Sequence, residues 1–176
     1  RRLAATSTET PTAYVDRVKR DGAEVEALLH SLDIHYSEFF RDPLVFALLE
    51  QRILPGLAAR VQASGRTELR VWSAGCAAGQ EALSVAILLS ELSDGRKQPS
   101  SFRIFATDSS EDELAQARGG VFPEAAMRNV RLSHLQRWFS RQGQAYVTAP
   151  ELRERVDFSP YDLLDESTSC PPGSIF

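Results

Sequence analysis

Cysteine, histidine and lysine are all scarce in this chain of 176 residues, which carries two, three and two of them. Cys76 and Cys170 are far apart and form no Cys-x-x-Cys pair, so neither a zinc site nor a disulfide framework is readable, and a reducing cytoplasm is expected. Basic charge is not in excess. The 20 Lys and Arg residues stand against 24 Asp and Glu, a formal net charge of −4, which argues against a general nucleic-acid surface and leaves room for local basic patches. No apolar run approaches the roughly 18 residues a membrane span needs, and the Arg1-Arg2 start leads into Thr- and Glu-rich sequence where a secretory signal would need an apolar core. With 43% hydrophobic and 25% charged residues, the composition is that of a folded, soluble domain.

Residues 1–11 lack periodicity and read as a flexible leader. Between 12 and 32 apolar positions recur at helical spacing, with a break at Asp21-Gly22. Residues 35–42 form a loop feeding a helix that starts at Pro43 and reaches Pro55, with a further turn or two to Ser64-Gly65. This predicts a helical N-terminal subdomain and linker over 12–64. The pattern then changes to strand (68–74), glycine turn (75–79), helix (81–92), strand (102–107), helix (111–118), with a helix near 133–139, a β-type piece at 145–148 and a third strand over 155–159. Alternation of strand and helix predicts an α/β layer with a parallel sheet and right-handed crossovers over 65–176. Three parallel strands are few for such a sheet, so a fragment of a longer protein is expected.

Two features point to chemistry. Glycines at 75 and 79, between a strand and a helix, let backbone approach a ligand and present helix N–H groups to it. Asp108 ends the second strand, where a carboxylate can accept from both hydroxyls of a ribose; the same spacing also suits Asp108 or Ser109 as a helix cap. The full G-x-G-x-x-G pattern is absent, which disfavours a dinucleotide and leaves other adenosine cofactors open.

Phe39-Phe-Arg-Asp-Pro43, Trp72-Ser-Ala-Gly-Cys-Ala-Ala-Gly-Gln-Glu81, Ala106-Thr-Asp108, and Leu152-Arg153 leading through Val156-x-Phe158 to Asp162-Leu-Leu164 together resemble the CheR family, over residues 14–176. Members of that family are S-adenosylmethionine-dependent protein-glutamate O-methyltransferases that act on bacterial chemoreceptors. The resemblance implies a Rossmann-like class I methyltransferase sheet behind a small helical lobe. It also implies S-adenosylmethionine as cofactor, with S-adenosylhomocysteine as product, and cytoplasmic receptor helices as partners. The family's Asn-x-Thr-x-Phe-Phe-Arg segment falls here on His35, Ser37 and Arg41, so these are expected at the cofactor, with Arg41 also orienting the substrate. The glycine turn brings Gly75, Gly79, Gln80 and Glu81. Gln80 replaces one acid of a pair expected near the cofactor's methionine amino group, which exchanges a charge-assisted bond for a neutral one. Asp108 falls on the ribose acid, and Asp162 and Leu163 on the pair flanking the adenine. Cys76 is expected as a small turn residue, and Trp72, Phe102 and Phe105 as packing residues.

The implied reaction is attack of a glutamate oxygen on a sulfonium methyl group. A glutamate with an ordinary pKa of about 4.3 is already ionised, so no general base is required. The family's next motif, and its small β-subdomain used in docking, are expected outside this chain. Two alternatives stand beside this reading: a degenerate cofactor-binding regulatory module, suggested by His35 and Gln80, and a methyltransferase with another acceptor.

Overall fold

The computed structural model describes residues 2–32, 37–94 and 101–164. Contacts divide the chain into two compact units, Arg1–Tyr36 and Ser37–Phe176. The first holds α1 (Arg2–Ala5), α2 (Pro11–Val18) and α3 (Gly22–Leu32). Thr10 caps α2 by accepting from the Ala13 N–H. Glu24, buried on α3, takes Arg2 Nε and Nη2 at 3.0 and 2.7 Å and the Tyr14 hydroxyl at 2.7 Å, which ties the three helices together. A helical turn therefore occupies part of the segment read as a leader.

The second unit opens with α4 (Pro43–Leu48), which runs through a π-helical turn (Leu49–Ile53) into α5 (Leu54–Ala63). Pro55 was expected to end the first of these helices. It does not, because the ladder widens just ahead of it: the Leu54 N–H reaches back five residues to Leu49 O, and Pro55 falls in the first turn of α5, where a missing N–H costs little. These helices share a core with the sheet, since Phe39, Phe40 and Leu54 are buried in one cluster with Leu69, Leu83 and Ile104. The boundary drawn from the sequence at residue 64 therefore lies inside this unit.

β1 (Glu68–Ala74), β2 (Ser101–Asp108) and β6 (Val156–Pro160) form a parallel sheet in the order β1-β2-β6. In register, Ala74 faces Thr107 and Asp108 faces Pro160, so the three strands finish at one edge. The crossovers are α6 (Gln80–Asp94) and α7 (Glu111–Gly119). Eight residues of α6 are buried, including Ala82, Leu83, Ala86 and Ile87, which makes it the central helix of the core. Ser110 caps α7 by accepting from Glu113 N–H, so neither Asp108 nor Ser109 serves as its N-cap.

Between α7 and β6 stands a second, antiparallel sheet, β3 (Val121–Pro123), β5 (Ala145–Thr148) and β4 (Phe139–Gln142), in the order β3-β5-β4. α8 (Leu132–Trp138) leads directly into β4, and α9 (Pro150–Arg153) joins β5 to β6. Of these strands the sequence pattern marks 145–148 alone, and the pairing of three short strands into a sheet is added by the structure. Phe39 pins it, with ring centroids 4.9 Å from Phe122 and 5.0 Å from Phe139, both edge to face.

Candidate functional site

The site forms where β1 and β2 end. Gly75 N–H and Cys76 N–H both donate to Thr107 O, at 2.8 and 2.9 Å, fixing the turn after β1 to the last residues of β2. Thr107 is buried, and its hydroxyl accepts from the Trp72 indole N–H at 3.0 Å. The turn then reverses through alternate left-handed residues, Gly75 (φ 70°), Ala77 (φ 45°) and Gly79 (φ 86°). Ala77 is the strained one, because its Cβ disfavours that region by about 1 kcal/mol or more. Asp108 holds it there: Oδ2 accepts from the Ala77 N–H at 2.8 Å, while Oδ1 accepts from Ser110 N–H at 3.0 Å.

The two glycines differ in what surrounds them. A Cβ on Gly79 would stand 2.8 Å from the Phe158 ring and 3.0 Å from Ala117 Cβ, so this glycine permits α6, α7 and β6 to close on one another. A Cβ on Gly75 would meet nothing within 4 Å among the described residues, so its bare Cα borders space that none of them fills.

Gln80, the first residue of α6, is buried and its Oε1 has no hydrogen-bond donor among the described residues. A buried acceptor without a donor is costly, and it fits a ligand that supplies one. Next to it Glu81 accepts from the Ser73 hydroxyl at 2.7 Å. Burial above all, and then the neighbouring charge of Asp108, with smaller contributions from Glu81 and Glu113, push the Cys76 thiol up to about 12. Cys76 is buried, as suits the small turn residue expected there, and the same carboxylates make the turn a negative environment suited to a cationic ligand.

Two other expected segments are tied through their backbone to elements beside this turn, one to the end of β2 and one to α6. Tyr161 N–H donates to Asp108 O at 2.9 Å, which brings the 161–164 segment beside the end of β2. There Asp162 Oδ1 accepts from Leu164 N–H at 2.8 Å, and Leu163 is 57% exposed. Phe40 N–H donates to Ser84 Oγ on the second turn of α6 at 3.1 Å, which places the Ser37–Arg41 segment against the head of that helix, with Arg41 exposed. His35 lies outside the described residues. Sequence reasoning had not singled out Thr107 or Ser84; each is a buried hydroxyl whose role depends on a partner distant in sequence, a relation that spacing does not carry.

A strand–glycine turn–helix unit with a carboxylate at the end of the second parallel strand defines a nucleotide-type cofactor fold of the α/β class. The family model for the CheR methyltransferase SAM-binding domain matches residues 35–175, and the chain belongs to that family. S-adenosylmethionine is the cofactor of the domain. The residues fit it: space over Gly75, a carboxylate with acceptor capacity left after two backbone bonds, and a buried acceptor at Gln80 awaiting a donor.

Among similar proteins, chemotaxis protein methyltransferase 1 of Pseudomonas aeruginosa is 33% identical over 148 residues, covering 82% of this chain and 53% of that protein. The chemotaxis protein methyltransferase of Borreliella burgdorferi is 28% identical over 161 residues, covering 88% of this chain and 56% of its own. An uncharacterized 104.1 kDa protein of Rhodobacter capsulatus is 32% identical over 166 residues, 94% of this chain but 17% of that protein. The chain spans about half the length of the chemotaxis methyltransferases it matches. No helix among the described residues is long and apolar enough to cross a membrane.

Proposed function

We propose that this chain is the cofactor-binding part of a protein-glutamate O-methyltransferase that modifies glutamates on the cytoplasmic helices of chemoreceptors. The observation that carries this reading is Asp108, whose carboxylate fastens the glycine turn through Ala77 and keeps further acceptor capacity for two hydroxyls of a ribose. Asp162 and Leu163, held next to Asp108 by the Tyr161 backbone, flank the adenine. Gly75 gives the cofactor room; Gly79 closes the packing under the turn. Gln80, with Glu81 beside it, faces the methionine amino group. Ser37 and Arg41 serve the cofactor, and the exposed Arg41 offers a forked donor suited to the methionine carboxylate or to orienting the incoming glutamate. S-adenosylmethionine supplies an activated methyl group. The protein's own task is alignment and partial exclusion of water around an acceptor that is already ionised, so no acid–base pair is needed.

Calorimetric titration of the chain with S-adenosylhomocysteine tests the reading. Micromolar binding that weakens at least thirtyfold in Asp108→Ala is expected; an affinity unchanged by that substitution refutes the site. Methyl transfer from labelled S-adenosylmethionine to receptor cytoplasmic fragments, in a panel with other acceptors, tests the substrate. Gln80 favours one second reading, a binding module without transfer, because a neutral amide occupies an acid's place. Cofactor binding without transfer to any acceptor, in a protein carrying the remainder of the fold, would decide for it.

A further inference from the structure

Ser84 is buried completely and makes two hydrogen bonds of different kinds. Its hydroxyl donates to Gln80 O at 2.7 Å, one turn earlier on α6, and accepts from the Phe40 N–H at 3.1 Å, 44 positions away in sequence. The first bond is ordinary for a serine within a helix. Ser90 shows the same habit on the same helix, donating to Ala86 O at 2.8 Å. The second bond is what distinguishes Ser84. One oxygen joins the residue that heads α6, Gln80, to the residue that precedes Arg41.

The loop end of this link is under strain. Phe40 has φ 53°, a left-handed conformation unfavourable for a residue with a side chain. Its ring is gripped between Phe46 and His134, each 5.2 Å away between centroids, and the preceding Phe39 N–H is bonded to Ala126 O at 3.0 Å. Packing therefore keeps the Phe39-Phe40 pair in place, while the hydroxyl of Ser84 fixes the Phe39–Phe40 peptide plane, one residue ahead of Arg41.

We infer that Ser84 is a positioning residue of the cofactor site: its hydroxyl fixes the Ser37–Arg41 segment in register with the head of α6. It touches no reacting atom. The inference rests on the cofactor reading above, and the two fail in different ways. Losing the hydroxyl leaves Phe40 N–H buried and unpaired, so the peptide turns to find a partner and Arg41 moves with it.

The decisive comparison is Ser84→Thr against Ser84→Val, which share a shape and differ in the hydroxyl, with Ser84→Ala and Ser90→Ala beside them. Hydrogen exchange at the Phe40 amide reads the link directly, and calorimetric titration with S-adenosylhomocysteine reads its consequence. Exchange at Phe40 should accelerate in Ser84→Ala and Ser84→Val and stay slow in Ser84→Thr. Affinity should fall about tenfold with loss of the hydroxyl, so that the threonine variant binds more tightly than the valine variant, while Ser90→Ala stays within twofold of the parent. Equal affinity or equal Phe40 exchange in the threonine and valine variants overturns the role of Ser84 and leaves the cofactor site standing. Failure of the parent chain itself to bind overturns the site reading, and the positioning role with it.

Discussion

Two glycines four residues apart make opposite demands, and exchanging each for alanine separates packing from ligand space. At Gly79 the new Cβ would lie 2.8 and 2.9 Å from the Phe158 ring carbons and 3.0 Å from Ala117 Cβ, at φ 86°. Overpacking of this kind costs about 1–3 kcal/mol, and the left-handed conformation adds about 1 kcal/mol, for roughly 2–4 kcal/mol together. In a chain of this size that lowers the melting temperature by about 5–15 °C. At Gly75 the φ of 70° carries a similar conformational cost, partly offset in the unfolded chain, but the Cβ meets nothing within 4 Å among the described residues. Gly75→Ala should therefore melt within about 4 °C of the parent. Ligand binding reverses the order, because the methyl group that Gly75→Ala introduces occupies the space the cofactor needs and should cost at least tenfold in S-adenosylhomocysteine affinity, read by calorimetric titration. Scanning calorimetry supplies the stabilities. The reasoning is refuted if Gly75→Ala binds within twofold of the parent, or if Gly79→Ala melts no lower than Gly75→Ala.

Gln80→Glu should tighten S-adenosylhomocysteine binding and lower the melting temperature of the free protein, since a buried carboxylate without a partner costs more than the about 1–3 kcal/mol of an unpaired neutral group until the ligand's ammonium arrives; weaker binding would place the ammonium elsewhere. Cys76, with its thiol pushed up to about 12, should react with iodoacetamide at pH 8 about a thousandfold more slowly than a free cysteine in a Cys170→Ser background, and a rate near that of free cysteine would show the turn to be open. Hydrogen bonds from Arg2 first, then from Tyr14, hold the Glu24 carboxyl below its ordinary 4.5, so its contribution to stability is complete above that pH and is lost as acid protonates it below. Glu24→Gln should flatten that acid limb in a denaturant series measured across pH, and parallel curves for the two proteins would refute the assignment.

What was legible in the sequence is what repeats along it. The parallel strands and their helices carry uninterrupted β-type or helical apolar patterns, and β1, β2, β6, α6 and α7 lie within a residue or two of where that pattern places them. β3 and β4 were not legible. One is three residues long and the other four, Phe-Ser-Arg-Gln, of which Phe139 alone is buried; both are held by pairing with β5 and by the packing of Phe39 rather than by their own patterns. The π-helical turn before Pro55 was hidden for a related reason: proline marks a missing donor, while the widened ladder that carries the helix past it, from Leu54 N–H to Leu49 O, has no mark in the residue pattern.

The same distinction runs through the site. Glycines and the strand-end aspartate announce themselves because few residue types can do their work, yet spacing left Asp108 open between binding a ribose and capping a helix. The fold removes the second option by giving the cap to Ser110, and adds a task that neither reading contained, bracing the strained Ala77. It follows that Asp108→Ala tests whether the residue matters to binding but does not separate ribose recognition from bracing, since that change also frees the turn. Asp108→Asn is the sharper test: its amide retains one oxygen for the Ala77 N–H but turns the other position into a donor, which disfavours the Ser110 N–H and one ribose hydroxyl. If recognition of the ribose dominates, Asn should lose nearly as much S-adenosylhomocysteine affinity as Ala while keeping more of the thermal stability. If bracing of the turn dominates, affinity and stability should fall together across the two variants, and Asn should bind several-fold better than Ala.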